Sequence, residues 1–549
     1  MTLSSGFENI SDIAPAGRRA LSRRGLLRGI SAGGLAMGLP GGSFAFAQEG
    51  GTGGTLIIGQ DPEPLALTSA ASIDPGTIAV SGKIFDRLFF MGVDGKLTPQ
   101  LATGLSLSAD GKAIALSLRP GVLWHDGKPF TSVDVAYSLT EVWKKHHSRG
   151  YMSYVNVIGV DTPDPLTAVI RLSQPAPYIS ESLADGESQV VPAHLYAGTD
   201  VLINPRNRDP IGTGPFRFVR WERGSHILLE RNPHYWGAPR PYLDQVYFRF
   251  LKDGAATVAA LETGAIHYVS GSNVPLTDIE RLKKTPSIVV ERFDSSYSPT
   301  LLGFGFNLDR PIFKDVRVRQ AIAHAIDREF ILKNIWQGLG SLSDAPVPPQ
   351  NIEFHASDVP KYPFDLTKAE ALLDRAGYPR QADGTRLAFT CDPKMPSALV
   401  TKAAQFIRAT LARIGVRVEI RTQSLGEYLD RVFTRRDFDT IVYTSGFAID
   451  PALGIQRFYW TKTFQPGVPF SNAVHYSVPE VDALLEAAQV ELDKSKRRAL
   501  YVEAQHAIQR DVPIVPLLFP DVIVLHSRRL RNAVQYRNDN LARAVIDPA

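Results

Sequence analysis

Cysteine occurs once in the 549 residues, as Cys391, so no disulfide can close within the chain. Long apolar runs are missing too. The apolar stretch nearest the N-terminus, residues 30–47, is broken by glycines and Pro40. It falls short of the roughly 20 residues that a membrane-spanning helix needs. A strong charge of either sign is also lacking. The chain carries +4, and the first 47 residues hold five arginines against two acids, which leaves the rest at about +1. A nearly neutral surface excludes nucleic acid as a partner, because a phosphate backbone demands a basic footprint. Motifs of catalysis are equally scarce: there is no H-E-x-x-H, no Walker loop, no G-x-G-x-x-G and no S-x-x-K. His146 and His147 are adjacent, so they point apart on a helix and cannot act as i,i+4 metal ligands. A solvated helix end is expected there. The reading is of a protein that is not an enzyme, with no cofactor and no metal.

What is present begins with an address. Ser22-Arg23-Arg24-Gly25-Leu26-Leu27 precedes a weakly apolar Gly/Ala-rich run that closes on Ala45-Phe46-Ala47. Paired arginines before such a core form a twin-arginine export signal, and the small-x-small ending places cleavage after Ala47. The twin-arginine translocase is therefore an expected partner during export. The mature chain starts at Gln48, keeps 502 residues and has no cysteine at the cleavage site to carry a lipid. A freely diffusing monomer of the periplasm is expected, built as two α/β lobes.

Along the chain, Thr55–Gly59 reads as a strand and 80–90 as a helix. Residues 105–119 form a hairpin around Asp110-Gly111, and Thr131 caps a helix that runs through Val135 and Leu139. Further strands are expected at 167–172, 226–231 and 244–250. The rhythm changes near 300–310. Asp315 caps a long helix whose apolar stripe is Val318, Ile322, Ala325, Ile326 and Phe330, ending at Gly338. A short helix follows at 367–376. Strand 387–390, helix 397–414 and strand 416–422 make a parallel unit with a right-handed crossover. Helices at 479–492 and 495–510 precede an apolar strand pair, 514–519 and 522–526.

Trp124-His125-Asp126-Gly127-Lys128-Pro129-Phe130-Thr131, followed by Asp134-Val135, resembles the signature of family 5 extracytoplasmic solute-binding proteins. Further blocks match in that family's order: Gly212-Thr213-Gly214-Pro215-Phe216, Arg231-Asn232-Pro233-His234-Tyr235-Trp236, the run from Phe313 to Ile322, Ala325 to Glu329, and Ala376-Gly377-Tyr378 with Asp383-Gly384. The resemblance implies a two-lobed periplasmic binding protein-like fold (type II, cluster C-like), with the ligand cleft between lobes and two hinge crossings. Mapped here, residues 48–303 form lobe I, 304–510 form lobe II, and 511–549 return to lobe I. Most of the shared residues read as scaffold. Gly212, Gly214 and Gly127 are expected at positive φ in tight turns. Trp124, Phe130 and Trp236 belong to a core, and Arg317 and Arg319 either clamp a ligand or make helix-surface and interlobe ion pairs.

The same resemblance implies a role: the substrate-binding subunit of an ABC importer, delivering a small peptide or peptide-like or opine-like solute to the membrane permease. Peptide-binding relatives carry a lobe II loop like G-W-x-x-D-x-x-D-P, whose aspartate pairs with a ligand ammonium. Here the stretch is the shorter Ser445-Gly446-Phe447-Ala448-Ile449-Asp450-Pro451, without the tryptophan. Asp450 is thus either an ammonium partner or a turn cap. Arg457, among Phe458, Tyr459 and Trp460, offers a planar fork for carboxylate or phosphate. Phe304 and Phe306 alternate with glycines in 301–307, a strand whose open backbone would suit a ligand added as a strand, or else a closely packed hinge. Ser72 and Asp74 are further candidates on the lobe I wall. The shorter loop also admits a metal-chelate (nickel-type) or sugar-conjugate receptor. A periplasmic chaperone or sensor partner is a third alternative on the same scaffold.

Overall fold

The computed structural model describes residues 7–9, 53–70, 74–92, 95–147, 149–294, 296, 299–395, 397–446, 448–534 and 539–548. The expected export signal at Arg23 and Arg24, the cleavage site after Ala47, Ser72 and Phe447 lie outside these residues.

Three large sheets organise the chain. The first is an antiparallel meander of Ala102–Ser108, Ala113–Leu118, Thr167–Leu172 and Val157–Asp164, with Phe7–Asn9 at its edge. Its central hairpin turns at Gly111, whose φ of 66° only glycine adopts readily. The second sheet has seven strands in the order Ile288–Phe293, Val522–Ser527, Tyr268–Ser270, Thr55–Gln60, Gln245–Phe250, His226–Arg231 and Phe216–Glu222. The third runs Gly340–Ser341, Ile514–Pro520, Thr300–Phe306, Thr440–Gly446, Leu387–Pro393 and Val416–Ile420. Leu387–Pro393, the helix Ala398–Arg413 and Val416–Ile420 form the expected parallel strand–helix–strand unit.

Sheet membership locates the crossings. Ile288–Phe293 lies in the seven-stranded sheet, whereas all of Thr300–Phe306 lies in the six-stranded one. Ile514–Pro520 also pairs in the six-stranded sheet, and Val522–Ser527 pairs in the seven-stranded sheet. The chain therefore passes from the seven-stranded to the six-stranded sheet between Phe293 and Thr300 and back at Asp521. The two apolar strands read as a pair are consecutive strands of different sheets.

Other elements shift for local reasons. Asp74 accepts from Thr77 N at 2.9 Å and caps a helix Pro75–Ile84, earlier than the expected 80–90. The long helix expected from Asp315 to Gly338 breaks. It spans Val316–His324, and Asp327 accepts from Phe330 N at 2.9 Å, so a second cap restarts the chain at Arg328. Gly127 has φ 85°, as expected, but Gly212 and Gly214 do not have positive φ. They are glycines because a Cβ there would lie 1.9 Å and 2.6 Å from the Ile84 carbonyl oxygen. Trp124 and Phe130 are buried in the first lobe's core, with Trp236 packed on it. His147 is also buried, not solvated: its Nδ1 accepts from Arg149 N, and burial, with Arg149 adding to it, holds the ring neutral down to about 3.

Candidate functional site

A narrow hollow opens where the lobes face each other, setting Arg149, Tyr151 and Met152 of the first lobe against Leu453, Arg457 and Phe470 of the second. A second hollow adjoins it within the second lobe, beside Lys394, Tyr443, Ser445 and Phe458. Phe470 and Ser471 line both. Phe470 sits at φ 60°, a left-handed conformation that non-glycine residues adopt at a cost and often at functional sites.

Sheet geometry places the cations. Lys394 follows the parallel strand Leu387–Pro393, at the carboxyl ends where open α/β sheets hold ligands. Its backbone N donates to Val442 O at 2.8 Å and its Nζ to Thr444 O at 2.9 Å, which holds the ammonium 4.8 Å from the Phe470 ring centre. Burial pushes Lys394 down to about 8, and the like charges of Arg457 and Arg149 add to the effect. Arg457 lies on the short helix Gln456–Tyr459 and is buried. Its Nη2 donates to Ser445 Oγ at 3.2 Å and to the Gly446 carbonyl, with the guanidinium 4.6 Å from the Phe458 ring centre. Ser445, Gly446 and Arg457, singled out separately from sequence, thus meet at one wall. Tyr151 Oη is buried with no hydrogen-bond partner among the described residues.

Asp450 takes a different place. Its carboxylate accepts from Arg497 Nη1 at 2.7 Å and Nη2 at 2.8 Å, and from Ala452 N at 2.9 Å. Both ends of this fork are buried. Asp450 therefore caps its turn and is also tied to the helix Lys494–Asp511. Across the lobe boundary, Glu181 Oε1 accepts from Ile449 N at 2.8 Å and Oε2 from Asp450 N at 2.9 Å. Gln489 Nε2 donates to Tyr178 Oη at 3.3 Å along the same seam.

Phe304 and Phe306 are fully buried, and Thr300–Phe306 pairs on both edges, with Thr440–Gly446 and Ile514–Pro520. No strand can be added there, and of the two expectations the closely packed strand describes this segment. Their glycine partners make room for Ile514 and Tyr443 at Gly303 and for Ile441 and Val474 at Gly305. Asp74 serves as a helix cap. Arg317 pairs with Asp315 at 2.6 Å, and Arg319 donates to the Asp511 and Phe313 carbonyls, so both brace the second lobe and make no interlobe pair among the described residues. Sequence reasoning missed Arg149, Tyr151, Glu181, Lys394 and Arg497. Only Lys394, directly after a parallel strand, carried a signal that could have found it.

Comparison with known proteins gives the family. A model of the bacterial extracellular solute-binding proteins, family 5, matches residues 96–467. The chain belongs to that family. The oligopeptide-binding protein AppA of Bacillus subtilis is 27% identical over 487 residues, covering 85% of this chain and 87% of that one. The structure of DppA from Helicobacter pylori in complex with the peptide STSA superposes with a TM-score of 0.78 at 26% identity, over 90% of this chain and 99% of that one. The structure of AgaA from A. tumefaciens R10 in complex with agropinic acid gives 0.77 at 25% identity, over 90% and 99%. Family 5 members are two-lobed extracytoplasmic receptors without enzymatic activity, and this family 5 protein is a substrate-binding subunit of an ABC importer. No described helix is long and apolar enough to cross a membrane.

Proposed function

We propose that this family 5 protein is exported by the twin-arginine route, works as a free monomer in the periplasm, and closes on a peptide-like or opine-like solute for delivery to its permease. The observation that carries the reading is the hollow between Arg149–Ser153 and Ala452–Ser471, lined by elements from both lobes. AppA and DppA, named or crystallised with peptides, support the peptide-like solute, and AgaA with agropinic acid supports the opine-like one. Ser445, Gly446 and Arg457 form the ligand-facing wall of the second lobe. Asp450 is not needed as an ammonium partner, because its carboxylate is taken by Arg497.

Closure by hinge motion is supported by the two crossings, between Phe293 and Thr300 and at Asp521, which leave each lobe its own sheet. A ligand bridging the lobes stabilises the native state by about 2.7 kcal/mol at a hundredfold excess over Kd. A screen of peptides and opines, read by melting temperature and small-angle scattering, tests this. The true solute raises the melting temperature and shrinks the radius of gyration together; stabilisation without compaction contradicts lobe closure. For the export route, Arg23→Lys with Arg24→Lys is expected to hold the precursor in the cytoplasm. Normal periplasmic accumulation of that double variant rejects the twin-arginine route.

A further inference from the structure

Resting on the receptor reading above, we infer that loop 449–453 is a clasp: it joins the lobes through contacts between protein atoms alone, so that a closed form is populated before any solute arrives. The first ground is a two-point grip. Both carboxylate oxygens of Glu181, on the short first-lobe helix Ile179–Ser182, accept from successive backbone N–H groups of the second lobe, Ile449 at 2.8 Å and Asp450 at 2.9 Å. The second is that the gripped loop is fixed within its own lobe. Asn351 Nδ2 donates to Ile449 O at 2.7 Å, and Asp450 is forked by Arg497. The two N–H groups are thus held in line for an acceptor on the other lobe.

The third ground is that apolar and close contacts continue the same seam. Ala452 is buried in the first lobe's core and Leu453 packs against it, although both belong to the second lobe's chain. Gln489 Nε2 donates to Tyr178 Oη at 3.3 Å. At the tip of the first-lobe hairpin, a Cβ on Gly111 would lie 2.9 Å from Leu492 Cδ1, so glycine there serves close approach as well as the turn. Opening the lobes exchanges the two charge-assisted bonds for bonds to water and exposes the Ala452 and Leu453 side chains. Each loss is modest, but all of them bear on one equilibrium and favour closure. A solute then enters through the open fraction and, once enclosed, is held by the clasp as well as by its own contacts.

The test measures the seam on the whole mature protein, freed of co-purified solute by exhaustive dialysis and checked by mass spectrometry. Nitroxides on Lys112→Cys and Lys494→Cys flank the Gly111–Leu492 contact at exposed positions, and the native Cys391 is buried away from the label. Pulsed electron paramagnetic resonance is expected to give two distance peaks without ligand, a short closed one and a longer open one. Glu181→Ala should lower the closed-to-open ratio by roughly tenfold or more. Gln489→Ala should lower it by less, and Glu181→Gln, which keeps one acceptor oxygen, should fall between the parent and Glu181→Ala. A long peak alone in the ligand-free parent overturns the inference, as does a ratio unchanged in both Glu181→Ala and Gln489→Ala. Failure of the receptor reading looks different. An open parent that gains the short peak when a solute from the screen is added keeps the receptor and loses the clasp. Two peaks that respond to Glu181→Ala, while no peptide or opine shifts them, keep the clasp and lose the receptor reading.

Discussion

Two groups of charge lie close together in the second lobe and are handled in opposite ways. Asp450 and Arg497 are both buried, and each is answered by the other through a two-point fork at 2.7 and 2.8 Å. Lys394 donates to the Thr444 carbonyl and Arg457 to Ser445 Oγ and the Gly446 carbonyl, and the Arg457 charge acts against that of Lys394 within the same lobe. A buried charge that is fully paired fixes a loop in place. Residue type alone does not separate these roles, since each group contains an arginine beside aromatic rings.

The contrast can be broken most severely at the paired group. Asp450→Asn leaves Arg497 buried without its counter-charge and is expected to cost about 3–5 kcal/mol in urea unfolding. Combining it with Arg497→Met should recover most of that loss, and an additive double variant would show the pair is not coupled. At the cleft the sign reverses. The folded pKa of Lys394 lies near 8, below its ordinary value, so the cost of its charge is fully present below pH 8. That cost is relieved as pH rises from about 8 toward 10.5. Urea unfolding of Lys394→Met should therefore show a gain over the parent below pH 8, and the gap should close over that window. A gap independent of pH would mean the ammonium carries no such burden.

A smaller effect is expected at the seam. Glu181→Ala removes two charge-assisted hydrogen bonds to Ile449 and Asp450, and should shift the ligand-free protein toward the open form by about 1.5–3 kcal/mol. Scattering reads this as a larger radius of gyration; an unchanged radius would show that the bonds follow closure without favouring it. The smallest effect is expected at Arg317, whose exposed pair with Asp315 lies within one lobe. Arg317→Ala should leave both the melting temperature and solute affinity unchanged within error. A clear loss of affinity there would move the site away from the cleft.

How much of this was legible depends on how local the cause was. The hairpin at Gly111, the Thr131 start, the strand–helix–strand unit ending at Ile420 and the change of architecture near residue 300 were read from periodicity, caps and turns. The break after His324 was missed because the apolar stripe continues through it, whereas the Asp327 cap is a two-bond event. The open-backbone reading of Phe304 and Phe306 failed for another reason. A glycine in a strand signals close approach, but not what approaches, and here it is packed side chains of the same lobe. The Ser445–Gly446–Arg457 wall was half visible, because its members are near in sequence. Lys394, Arg149 and Glu181 were not, because they reach the wall or the seam beside it from other elements.

The amino-acid sequence by itself determined the family scaffold, the two α/β lobes and the near-neutral charge, because each is written in local order or composition. Tertiary structure alone decided which charges are spent and which are offered. Asp450 looks like a ligand partner until Arg497, 47 positions away, closes on it. Lys394 looks like an ordinary surface lysine until the sheet turns it toward Arg457 and the lobe boundary brings Arg149 near. Pairing in a cleft depends on distances between elements remote in sequence, and only the folded chain sets those distances.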